Sequence, residues 1–495
     1  MYRWHRILGL LTLLPVICWT LSGLLHPLMS NWLRPKIANE QLPPQAAPRP
    51  ALPLAAVLAR HRLTHLRTVR LVRWQQQPAY QVLAAGSPTA MPRYFSATTG
   101  AALPATADQQ FAEQLARYFT QDSTARLVSA ERITRFTLDY PFVNRLLPVW
   151  KLTFARAGVT TVYVETMPAR LATFNNPTRA AFLRFFSLLH SWSWLELLAN
   201  NTVRVVVMLV LLGIILASTL SGLVIYGLLW SKFRTPRTAG NQVGWLRKYH
   251  RVVGLAVAFV TFTFAGSGAF HAFLKLQPDE RLRFQHAPML AAAQLPVDLT
   301  ELPLNWARVQ NVALAELRGQ VYYQVTELPA EARRPTPASG ASTGQPVEAV
   351  RPPSVTYYSA ATGQVLPNGP TQYATALANA FMQQADGQPA PPITETEVVD
   401  HFGGEYSFIN KRLPVVKVAY RTPHRTALYV EPATGRLAAR VDNLDRYEGL
   451  SFAFLHKYHA VGSLGKNVRD AITMLAAAGV LAVSLLGVWL FVKMK

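Results

Sequence analysis

Arg3-Trp4-His5-Arg6-Ile7-Leu8-Gly9-Leu10 opens the chain, and Lys248-Tyr249-His250-Arg251-Val252-Val253-Gly254-Leu255 restates it near the middle. Each copy runs straight into an apolar stretch, and twenty-one residues after each histidine stands another, His26 and His271. At 1.5 Å per helical residue that interval covers about 31 Å, close to the hydrocarbon thickness of a bilayer. One reading decides the architecture: a membrane-spanning helix carrying a histidine at each edge, present twice.

The duplication extends outwards from this pair. Tyr94-Phe95-Ser96-Ala97-Thr98-Thr99-Gly100 matches Tyr357-Tyr358-Ser359-Ala360-Ala361-Thr362-Gly363. Leu147-Pro148-Val149-Trp150-Lys151 matches Leu413-Pro414-Val415-Val416-Lys417. Phe186-Ser187-Leu188-Leu189-His190 matches Phe452-Ala453-Phe454-Leu455-His456. Two further apolar stretches complete the units, which gives four spans of the roughly 20 residues a membrane requires. The expected division is helices at 1–28, 201–230, 251–274 and 469–495, with long segments at 29–200 and 275–468 and a short loop at 231–250. Each unit holds two spans, so both enter the membrane in the same sense, related by a pseudo-twofold axis along its normal. The first span has no small-residue cleavage site before His26-Pro27-Leu28-Met29, so it reads as an uncleaved helix.

Half of the 495 residues are apolar and only 15% are charged, with 49 Lys and Arg against 26 Asp and Glu. No basic run interleaved with aromatics gathers in one region, so nucleic acid is not the expected partner. The basic residues instead flank the spans: Arg3 and Arg6, then Lys232, Arg234, Arg237, Arg247 and Lys248, then Lys493 and Lys495. By the positive-inside rule both termini and the short loop are expected to be cytoplasmic and the long segments to lie outside. Trp4, Trp230, Trp245 and Trp489 fall at the inner belt, and Trp32, Trp192 and Trp194 at the outer one. The single cysteine, Cys18, excludes an intramolecular disulfide and cysteine-based metal centres.

The long segments read as α+β. Val162–Glu165 and Leu428–Glu431 are short β-type runs; Leu54–Arg67, Asp108–Phe119 and Tyr373–Gln384 are predicted amphipathic helices. Residues 329–353 are rich in Pro, Ala and Ser with no apolar period and read as an insertion.

The ordered set of motifs, found twice, resembles the PepSY-associated transmembrane family, whose members include iron-regulated membrane proteins. The resemblance rests on Trp4–Gly9, Tyr249–Gly254, the Thr-Gly hairpins at Tyr94–Gly100 and Tyr357–Gly363, and the Leu-His pairs ending at His190 and His456. It implies four transmembrane helices with two periplasmic α+β PepSY-like domains, and a haem-dependent reductase of ferric siderophores in the inner membrane. It implies no electron donor for this chain; a cytoplasmic or quinol donor is expected.

Imidazole is the usual axial ligand of membrane haem. The expected ligands are His5 and His250 for an inner haem b, and His26, His190, His271 and His456 for one or two outer ones. Arg204 and Arg469, matched at the outer starts of helices two and four, are candidates for pairing with propionates. The plain alternatives are interfacial histidines solvated by headgroups, or a zinc site, for which neighbouring cysteines and carboxylates are scarce. His61 and His65, four apart on the first predicted outer helix, and His286, His401, His424 and His459 are weaker candidates.

At the level of function, the outer segments resemble modules thought to restrain proteases or bind cell-wall components, which leaves a non-catalytic anchor as the alternative. A transporter is disfavoured because no span is broken by a central proline or carries a mid-membrane charge. The first long segment carries nineteen basic and eight acidic residues, a surface suited to an anionic ferric chelate or, alternatively, to anionic lipid.

Overall fold

A computed structural model describes residues 1–85, 90–230, 242–276, 284–328 and 354–493. The insertion expected at 329–353 and most of the basic loop lie outside these residues.

The first repeat begins with α1 (Tyr2–Pro27), which passes Pro15 without a break and continues as a π-helical turn to Trp32. It then adds α2 (Leu54–Arg60), β1 (His65–Trp74), β2 (Gln77–Ala84), β3 (Arg93–Ser96) and α3 (Ala107–Thr120). A meander follows: β4 (Arg126–Ile133), β5 (Val149–Ala155), β6 (Thr161–Glu165) and β7 (Arg170–Asn175). Helices α4 (Pro177–Leu189) and α5 (Ser193–Leu198) lead to α6 (Asn201–Leu228). The second repeat runs α7 (Gln242–Leu274), β8 (Leu290–Ala291), β9 (Val309–Leu317), β10 (Gln320–Glu327), β11 (Ser354–Ser359) and α8 (Gly369–Asp386). Its meander is β12 (Ile393–Val399), β13 (Val415–Tyr420), β14 (Ala427–Glu431) and β15 (Arg436–Val441), followed by α9 (Asn443–Ser451) and α10 (Lys466–Lys493).

Four helices are long and apolar enough to cross a membrane, α1 with its π-helical extension, α6, α7 and α10. With the sheets outside them, the chain is a membrane protein with α+β domains. The four helices pack as a ring in which α1 and α7 each touch both α6 and α10, the arrangement a twofold exchange of repeats requires. Leu14, Val210, Phe259 and Leu475 project outwards, as lipid-facing residues must.

The repeats meet in one sheet of order β11-β10-β9-β1-β2-β3. Its two central hairpins are built alike. Gln75 and Gln76 in one, and Arg318 and Gly319 in the other, occupy the left-handed region that a two-residue hairpin turn demands. Counting back from these turns, Arg70 and Ala313 are equivalent, and they pair with each other across β1 and β9, which places the twofold at that point. The helix over each meander is also duplicated. Phe111, Leu115 and Phe119 of α3 and Tyr373, Leu377 and Phe381 of α8 recur every fourth residue and are buried against the strands.

One expected helix needs correction. The predicted helix Leu54–Arg67 stops at Arg60, Arg62 takes a left-handed backbone, and His65–Trp74 is strand β1. Thr68, Val69 and Val72 are β-branched and suit the pleated central strand better than a helix. His61 and His65 therefore do not share a helix face.

Seam between the repeats is charged as well as paired. Glu431 accepts from Arg170 at 2.6 Å and Arg412 at 2.7 Å, and Glu165 lies 3.4 Å from Arg170 and 3.9 Å from Arg436.

Candidate functional site

The histidines gather at opposite ends of the bundle. His5 of α1 and His250 of α7 face each other at one end, their ring centroids 6.4 Å apart. His190, which caps α4, and His456 face each other at the other end, again at 6.4 Å. Two imidazoles binding one metal from opposite sides, at about 2 Å per bond plus about 1 Å from nitrogen to ring centre, put their centroids about 6 Å apart. At 6.4 Å, each pair would be close enough to hold one metal ion between its rings.

The hydrogen bonds settle which nitrogen is free. His5 Nδ1 donates to the Ser218 carbonyl at 3.1 Å and to Ser221 Oγ at 2.8 Å, and His250 Nδ1 donates to the Val483 carbonyl at 3.1 Å. His190 Nδ1 meets Ser22 Oγ at 3.0 Å, and His456 Nδ1 meets Ser267 Oγ at 3.1 Å. Each of these serines gives its own proton to a carbonyl one turn back, Ser22 to Cys18 at 2.6 Å and Ser267 to Thr263 at 2.5 Å. Each hydroxyl therefore accepts, and Nδ1 carries the proton in all four rings. Nε2, the other nitrogen, makes no hydrogen bond among the described residues and keeps its lone pair for a ligand. An imidazole oriented through Nδ1–H is the usual support behind a metal-binding Nε2.

Glycines bring the helices against the His5–His250 pair. A Cβ on Gly222 would lie 3.0 Å from His5 Cε1, and one on Gly487 would lie 3.3 Å from His250 Cε1. Elsewhere in the spans, a Cβ on Gly254 would lie 3.4 Å from Val483, while Gly9 and Gly268 only reach ordinary contact with Ser218 and His456.

His26 and His271 flank the second pair. Phe186 stacks on His190 at 4.5 Å and touches His26 at 5.2 Å; Phe452 stacks on His456 at 4.7 Å and touches His271 at 5.0 Å. The symmetry ends at Glu448, which accepts a hydrogen bond from His271 Nδ1. The matching position in the first repeat is Phe182, so His26 has no such carboxylate. Arg204 bonds the Ser191 carbonyl at 2.8 Å and lies 3.2 Å from Glu196; Arg469 lies 3.2 Å from Asp470. Both guanidiniums are thus occupied by protein groups.

The weaker candidates lie elsewhere. His286 pairs with Glu316 at 2.9 Å, His401 with Asp400 at 2.7 Å, and His61 bonds the Gly100 carbonyl. Among the described residues no three His, Cys, Asp or Glu side chains converge on one point. Imidazoles in twos suit a haem, whose macrocycle supplies the other four ligands, better than a four-ligand zinc site. An open cleft of about 5010 Å³ is lined by both pairs, by Val16 and Ala265 in the bundle, and by residues of the strands beyond it.

Ser22, Ser267, Gly222, Gly487 and Glu448 are absent from the sequence-based expectation. The serines were detectable, since each stands seventeen residues after the first histidine of its repeat. Glu448 has no counterpart and left no signal.

The family model of the PepSY-associated TM region matches residues 2–363, the span that contains α1, the first outer unit, α6, α7 and the first strands of the second unit. No curated protein matches the chain. The chain belongs to the PepSY-associated TM region family.

Proposed function

We propose that this protein is a haem b electron-transfer protein of the bacterial inner membrane that reduces a ferric siderophore or other ferric chelate on the periplasmic side. The carrying observation is the two facing histidine pairs, each with Nδ1 committed and Nε2 free, at opposite ends of one bundle. His5 and His250 would hold an inner haem, and His190 and His456 an outer one, with His26 and His271 beside it. Bound haem would supply one-electron redox chemistry; the chain's own part is ligation, exclusion of water and a shaped outer surface.

The basic ends at Arg3, Arg6 and Lys493 support cytoplasmic termini, with the sheets and both meanders in the periplasm. Electrons would enter from a cytoplasmic or quinol donor and leave at the outer pair. The excess of basic over acidic residues in 29–200 favours an anionic chelate, whose encounter rate salt should reduce.

Two measurements test the reading. Dithionite-reduced protein should show sharp α and Soret bands, and His250→Ala should remove one component while sparing the other; protein free of haem after iron-replete expression ends the proposal. In neutral-lipid proteoliposomes with a reductant inside, an external ferric siderophore should be reduced. If no ferric chelate reoxidises the haem, the reductase assignment fails even with haem present.

A further inference from the structure

Two arginines share one ring where the repeats meet just beyond the outer ends of the spans, and a lysine of the second repeat is near enough for its charge to feel both. Arg34 lies two residues past the end of the first membrane helix, Arg179 sits in the first turn of α4, and Lys411 follows the Phe408–Asn410 turn of the second repeat. The guanidinium carbons of Arg34 and Arg179 lie 5.5 and 5.7 Å from the centroid of one ring, Phe174. All three cations line the open cleft.

Their partners do not balance them. Glu40 is 2.9 Å from Arg34 and is the one carboxylate bonded to the group among the described residues. Arg179 bonds the Phe174 carbonyl and, at 3.0 Å, Asn175 Oδ1, both uncharged. The Lys411 ammonium has no hydrogen bond or ion pair among the described residues. Burial, then Arg179 and Arg34, hold Lys411 below the ordinary lysine range; burial, then Arg34, lowers Arg179 to about 10. Uncompensated charge in a partly buried place favours an added counter-charge. The N-terminus of α4, capped by Asn176, adds its partial positive charge.

We propose that Arg34, Arg179 and Lys411 form an oxyanion site that takes a carboxylate or phosphate group. The duplication sharpens the assignment. Arg179 corresponds to Asp445 in the second repeat, and Lys411 corresponds to Arg145, which lies over the Phe142 ring instead. The site exists once, and it does not depend on the haem reading. Its occupant is a small carboxylate or phosphate anion reaching the cavity, or the phosphate of an anionic lipid at the outer leaflet.

The test uses full-length protein in neutral detergent, with citrate and inorganic phosphate titrated calorimetrically. In parallel, the protein is placed in phosphatidylcholine nanodiscs with and without phosphatidylglycerol, and retained lipid is read by native mass spectrometry. Lys411→Gln and Arg179→Gln should each weaken binding about tenfold or more, the scale of one charged hydrogen bond. Arg145→Gln and the charge-preserving Lys411→Arg should keep it. Citrate or phosphate bound and lost in the glutamine variants supports a soluble anion; phosphatidylglycerol alone, retained by wild type and lost by the variants, supports the lipid. If none of the three probes prefers wild type to the glutamine variants, the site does not exist. Should a glutamine variant fail to fold, wild-type binding that ignores salt overturns the proposal equally.

Discussion

Replacing Glu431 with Gln keeps the shape of the seam and removes one of its two carboxylates. Glu431 is 2% exposed and is bonded by Arg170, Arg412 and the Thr434 hydroxyl. Burial alone would raise its pKa, but the two guanidiniums and the hydroxyl outweigh it and bring the carboxyl from 4.5 to about 2. A depressed carboxyl stabilises the fold above its unfolded value and loses that contribution as pH falls through the folded one. The window is therefore about pH 4.5 down to about 2, and the shift corresponds to about 3 kcal/mol. Glu431→Gln at neutral pH also strands Arg412, whose other carboxylate, Glu165, is 4.0 Å away. Removing one partner of a buried pair costs about 3–5 kcal/mol, and on the order of 10 °C in melting temperature for a unit of this size. The assay is thermal melting of the detergent-solubilised protein by tryptophan fluorescence across acid pH. Glu395→Gln is the control, because its 2.8 Å bond to Lys417 is exposed and worth about 0–1 kcal/mol. Removing Arg412 together with Glu431 should recover part of the loss. If Glu431→Gln melts no lower than the Glu395→Gln control, the seam is not held by this pair.

Two further outcomes follow from the bundle. Gly222→Ala should perturb the inner histidine pair, since its Cβ meets His5 Cε1 at 3.0 Å, whereas Gly213→Ala, on the same helix with open space around it, should gain up to about 1 kcal/mol; equal melting points and identical haem spectra would contradict the packing. Glu448→Gln should raise the midpoint potential of the proposed outer haem, because it removes a negative charge from behind His271, which flanks that site; an unchanged redox titration would show that this carboxylate does not act on a haem.

Much of the candidate site was legible because membrane helices write their geometry into sequence. The interval from His5 to His26, repeated from His250 to His271, fixes depth, and the matched Leu-His pairs point to His190 and His456. Pairing across the bundle was legible only by symmetry; that His5 faces His250 rather than a histidine of its own repeat depends on helix contacts. The outer fold was less visible. Alternation identifies a strand but not its partner, so nothing in β1 announces β9, and a short apolar run before Thr64 reads as helix until its left-handed break is seen. The seam charges were hidden for a different reason. An arginine such as Arg70, 8% exposed and bonded to the Met167 carbonyl, looks in sequence like any surface cation.

The β1–β9 pairing has a consequence for biosynthesis. The chain emerges from its N-terminus, so β1 exists well before β9 is made. Until then the first repeat presents an unpaired strand edge at Arg70 and Leu71, and an open edge is a place where chains pair with one another. Expressed alone, the first repeat would leave that edge open, and two copies could satisfy it by joining each other at β1.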